Sequence, residues 1–179
     1  SGFLLLRQRL GKAGRTLSAN LRYSFSNNVL DGLNRSLTNV YDEAGQPLTG
    51  EREVVNQRFD QNSNSTSLSG RVVYTEPLTK NLFLEANYQY SWNLNKSVKD
   101  VYNSGAYGFA DGLPVFNPQG ALKDDIYSNE IINESHSQRA GINFSYQLKK
   151  FRANLGAAIN PTDTYNKTNE KTYSNKVIN

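Results

Sequence analysis

The sequence predicts an all-β chain, an antiparallel up-and-down meander of about six strands without helices. Three observations carry that prediction. Apolar residues recur with period two, the connections between the alternating stretches are by turns short and long, and aromatic residues gather toward the ends of those stretches. Composition points the same way. The 179 residues include 11 Tyr, 8 Phe and 23 Asn, with only 20% charged side chains, whereas a disordered chain would be depleted in aromatics.

Each element follows from side chains pointing alternately to opposite faces of a strand. Phe3 to Arg9 reads as the end of one strand, near 3–9. The next, near 15–27, sets Leu17, Ala19, Leu21, Tyr23 and Phe25 against Thr16, Ser18, Asn20, Arg22 and Ser24. A third, near 55–75, carries Leu68, Gly70, Val72 and Tyr74 on one face. The clearest, near 81–96, alternates Leu82, Leu84, Ala86, Tyr88, Tyr90, Trp92 and Leu94 with Phe83, Glu85, Asn87, Gln89, Ser91, Asn93 and Asn95. Near 126–148, Ala140, Ile142, Phe144, Tyr146 and Leu148 oppose Arg139, Gly141, Asn143, Ser145 and Gln147. Near 151–160, Ala153, Leu155, Ala157 and Ile159 repeat the rule. A period of 3.6 fits none of these windows. Residues 55–67 and 126–138 are polar on both faces, as a sheet standing in water would be.

Short links fall at Leu10–Arg15, Glu76–Asn81 and Lys149–Lys150; long loops are expected at 28–54, 97–125 and 161–179. Turn signals such as Asp31-Gly32, Ala44-Gly45-Gln46-Pro47 and Asp111-Gly112 punctuate them. Compact soluble domains seldom carry such long irregular loops. A barrel in an outer membrane has short turns at one end and long loops at the other. Each apolar ladder covers roughly the 9 to 11 residues that a tilted strand needs to cross a bilayer. Backbone groups in lipid find no water, so such strands must pair laterally and the sheet must close. Residues 1–179 therefore read as an internal segment of a larger transmembrane β-barrel. The absence of Met agrees with a processed or excised piece. The competing arrangement is a soluble β-sandwich, a surface module for adhesion or glycan binding, whose apolar faces would bury each other.

Chemistry-bearing patterns are few. The net charge is +4, but the cations are scattered, which argues against a nucleic-acid partner. There is no Cys and one His, so neither a thiolate site nor a zinc set is expected. His136 is expected to be a solvated side chain. Asp124-Asp125 lacks the spacing of a calcium loop, and Gly105, Gly108 and Gly112 follow no strand in the manner of a phosphate cradle. The expectation is neither enzyme nor cofactor nor metal. In a barrel, Arg22, Arg71, Glu85 and Arg139 would face the lumen. The long loops would present Tyr102, Tyr107, Phe109, Phe116 and Asn117, a set of aromatics and amides suited to glycans or flat ligands.

Three stretches carry a family resemblance: Leu10-Gly11-Lys12-Ala13-Gly14-Arg15-Thr16-Leu17-Ser18-Ala19-Asn20-Leu21, then Tyr74-Thr75-Glu76-Pro77-Leu78 with Asn81-Leu82, and Ser137-Gln138-Arg139-Ala140-Gly141-Ile142-Asn143-Phe144-Ser145-Tyr146. Over roughly residues 3 to 160 the chain resembles Bacteroidetes outer-membrane barrel proteins of the TonB-dependent receptor type. The resemblance implies part of a barrel of about 22 strands around a plug domain, placed in the cell outer membrane of a Gram-negative bacterium. It also implies uptake of a scarce nutrient (siderophore, glycan or peptide). The implied partners are outer-membrane lipid, the plug and the remainder of the barrel, the TonB complex, and a surface lipoprotein.

Overall fold

The structure, a computed structural model, describes residues 1–169 and 171–178, and for residues 47–51 the backbone alone. Each alternating window lies within a strand. The strands are β1 (Gly2–Arg9), β2 (Thr16–Tyr41), β3 (Pro47–Pro77), β4 (Leu82–Asn103), β5 (Phe109–Ala110), β6 (Leu113–Pro114), β7 (Leu122–Lys123), β8 (Asn129–Leu148), β9 (Phe151–Ile159), β10 (Pro161–Lys167) and β11 (Thr172–Ile178). The main sheet runs β1-β2-β3-β4-β8-β10-β11, with β9 also on β8 and β7 on β4; β5 and β6 pair separately. This is the expected antiparallel meander.

The short links stand as expected. Gly11 and Gly14 take positive φ in the first of them, a conformation that a Cβ penalises. Lys149 and Lys150 join β8 to β9 between the paired Leu148 and Phe151. The long loops need correction. Strand continues through residues 27–41 and resumes at Pro47, so the expected loop 28–54 is a hairpin turning over Asp42–Gln46. There the Asp42 carboxylate accepts the backbone N–H of Ala44 and Gln46. Residues 161–178 likewise hold β10 and β11, and β4 extends the fourth strand to Asn103. In these stretches the apolar residues, such as Val29, Leu30, Leu33 and Val40, fall on both faces, so no period of two marks them, and backbone pairing holds them extended.

The described chain divides into two compact units. The first comprises residues 1–26, 64–96 and 132 onward; the second comprises 27–63 and 97–131.

In the first unit the register stacks apolar residues on one face. Leu4 pairs with Leu21 and Leu6 with Ala19; Ile142 pairs with Ala157, Phe144 with Leu155, and Tyr146 with Ala153. That face is bare. Leu4, Leu21, Ile142, Phe144 and Leu148 are all exposed, and Leu155 is 77% exposed. Their polar neighbours Asn143, Ser145 and Gln147 are half-buried. A soluble protein shows the opposite. The soluble sandwich, whose apolar faces would bury each other, is thereby overturned: these residues are exposed, and Val101, at 3% exposure, is the sole buried aliphatic or aromatic residue among those described. The accessible surface of 12961 Å² compares with about 8,700 Å² for an ordinary folded monomer of this mass.

Candidate functional site

The bare apolar face ends abruptly. On β8 it stops between Ala140 and Gln138, and on the neighbouring path it stops between Ile159 and Asp163. Above that line, aromatic side chains of β4 hydrogen-bond to polar side chains of β8, rung after rung. The Tyr88 hydroxyl donates to Gln138 Oε1 at 3.1 Å. The Tyr90 hydroxyl lies 2.8 Å from His136 Nδ1, and His136 Nε2 lies 3.1 Å from Glu134 Oε1. A carboxylate only accepts, so Nε2–H donates to Glu134, and in the neutral ring Nδ1 then accepts from Tyr90. Trp92 Nε1–H donates to the same Glu134 oxygen at 2.7 Å. Rings with apolar bodies and bonded polar tips suit a headgroup layer. His136, expected as merely solvated, is the middle member of this ladder.

At the opposite end of the apolar stretch two turns are locked together. Arg15 forks onto Glu76, with Nε donating to Oε2 at 2.7 Å and a terminal nitrogen donating to Oε1 at 3.0 Å. The Tyr74 hydroxyl adds a bond of 2.6 Å to Oε2. Lys12 donates to Oε1 at 3.2 Å and to the Pro77 carbonyl. Arg15, then Tyr74 and Lys12, hold the Glu76 carboxyl at about 2, well below its ordinary 4.5.

The four expected lumen residues do not form one cluster. The Arg22 guanidinium stands 5.7 Å from the centre of the Phe3 ring, its partner in the register. Arg71 and Arg139 are exposed. Glu85 lines a groove of about 460 Å³ with Arg7, Arg9 and Thr16. The sequence reading missed Arg7 and Arg9, although their place on the polar face of β1 follows from the register of β1 against β2.

In the second unit, the stretch after β4 is stapled to its own strands. Ser128, 7% exposed, accepts the Val101 N–H at 2.9 Å. Asp124 accepts from Asn103, Ile126 and Tyr127, and these bonds, the Asn103 amide first, hold its carboxyl below the usual range. Of the five expected loop contacts, Tyr107 and Phe109 meet edge to face at 5.8 Å and are exposed. Tyr102 and Phe116 are half-buried. Asn117 holds its own loop, donating to the Ala106 carbonyl at 2.7 Å and accepting from Gln119.

A cavity of about 300 Å³ opens within this unit, lined by Asn34, Asn56, Gln57, Phe59, Lys99 and Tyr127 among others. Gly32 makes room for Phe59, since a Cβ there would meet the ring at 2.8 Å. Lys99 Nζ sits 5.4 Å from the centre of that ring. The sequence reading did not find this set, because its members lie far apart in stretches without apolar period.

The sequence model of a family described as an outer membrane protein beta-barrel family matches residues 8–179. No curated protein matches the chain.

Proposed function

The chain belongs to the outer membrane protein beta-barrel family and lies in the outer membrane of a Gram-negative bacterium; from that premise we propose that it is a wall segment of a TonB-dependent receptor that takes up a scarce nutrient. The observation that carries this reading is strand length. The apolar ladder on β9 occupies 9 residues, while β2, β3 and β4 run for 26, 31 and 22. A strand that only crosses lipid needs about 9 to 11. The surplus strand, rich in Asn, Ser and charged residues, supplies surface for capturing a solute before it enters the barrel. In this reading a plug domain occupies the lumen beside Arg22, Arg71, Glu85 and Arg139. The TonB complex delivers the energy, and a surface lipoprotein is an accessory partner. The cargo is a siderophore, glycan or peptide.

The test compares growth of three strains on a panel of iron sources, glycans and peptides: the parent strain, one lacking the whole barrel protein, and one lacking TonB. One nutrient should fail to support both deletion strains. A defect of the barrel deletion that TonB-deficient cells do not share would overturn energised uptake and leave a passive pore.

A further inference from the structure

From the cavity of the second unit we infer that it is a binding site for a small organic acid, a carboxylate flanked by a hydroxyl or amide donor. Its lining contains a cation and no carboxylate. Among the described residues no Asp or Glu pairs with Lys99; its ammonium leans on the Phe59 ring instead. A half-buried ammonium facing a neutral cavity attracts one negative charge. Asn34, Gln57 and Tyr127 line the same cavity; amide and phenol side chains both donate and accept, so the group bound there can offer donors and acceptors beside its negative charge. The volume lies at the lower end for ligand pockets, which suits one sugar ring or about two amino-acid units.

This inference does not draw on energised uptake, because the binding is an equilibrium property. The experiment is isothermal titration calorimetry on the intact protein in detergent micelles near pH 7. D-galacturonate and N-acetylglycine serve as acids, with D-galactose and N-acetylglycinamide as their neutral counterparts. At least one acid should bind saturably, and about tenfold or more tighter than its neutral counterpart. The acid that binds tells a saccharide source from a peptide source. Lys99→Met should weaken that acid by about tenfold or more while leaving the neutral counterpart unchanged. Binding by neither acid would overturn the site, as would equal binding of acid and neutral compound, or an unchanged affinity in a folded Lys99→Met protein. If that variant does not fold, the wild-type salt series decides. Acid affinity falling as salt rises supports the Lys99 contact, and a flat series refutes it.

Discussion

Leu155→Arg separates lipid contact from water contact more directly than any other substitution. Leu155 is the central outward residue of β9, with Phe151 and Ile159 at the two ends of the same face and Phe144 beside it on β8. From Phe151 to Ile159 is eight steps of about 3.4 Å, or about 27 Å along the strand and about 19 Å in depth at a tilt of about 45°. Leu155 thus lies about 10 Å from either rim, near mid-bilayer. An Arg there costs about 2–4 kcal/mol, against about 0–1 at the rim. That corresponds to about 30- to 900-fold in the folding equilibrium. The assay is urea-dependent folding of the intact protein into phosphatidylcholine vesicles, read by heat-modifiable gel mobility. Ile159→Arg, two rungs from Asp163 on the polar side, should shift the equilibrium little, and Asn154→Arg on the opposite face should do the same. Were Leu155 in water, its Arg variant would be neutral or better behaved. Equal midpoints for the Leu155→Arg and Ile159→Arg proteins would therefore refute the depth assignment, and with it the lipid-facing surface.

The remaining predictions concern the turns and the second unit. Glu76 is held at about 2 in the fold against an ordinary 4.5, so the unfolded chain binds the proton first on acidification. Its contribution is present above about pH 4.5 and is lost as the pH falls toward 2; Glu76→Gln should remove that part of an acid-unfolding profile, and an unchanged profile would count against the lock. Ser128→Ala leaves the Val101 N–H buried without its acceptor and should cost about 1–3 kcal/mol. Faster proteolysis between residues 104 and 127 would report the loss. Gly32→Ala drives a methyl into the Phe59 ring and should destabilise by about 1–3 kcal/mol. The double variant with Phe59→Leu should recover most of that in the same urea titration, and failure to recover would place the clash elsewhere.

The membrane-facing half of the fold was legible because lipid imposes a rule on every second residue. Ala140 to Leu148 obeys it without exception, and Leu82 to Leu94 breaks it only at Phe83. In residues 27–41 and 161–167 the few apolar residues keep to no single face, so no such rule marks the strand, and strand and loop share one composition. The ladder of Tyr88, Tyr90 and Trp92 was half visible. The rings announced a headgroup level, but their partners depend on the register between β4 and β8, about fifty residues apart in the chain. The candidate sites were least legible. Asn117 has the side chain of a ligand contact and spends it on its own loop. Lys99 and Phe59, unremarkable in their local sequences, meet only through the pairing of distant strands.

One consequence of the bare apolar face concerns the journey rather than the destination. Before it reaches lipid, the chain carries Leu4, Leu6, Phe25, Phe144, Leu155 and their neighbours exposed to water, and β9 bonds laterally only to β8 among the described residues. The nearest substitute for a bilayer is then another copy of the same chain, offering the same greasy surface and the same unfilled backbone edge. Productive insertion is first order in protein, whereas clumping is at least second order. Yield should accordingly rise on dilution or with a holding chaperone, and slow expression should favour the membrane over the inclusion body.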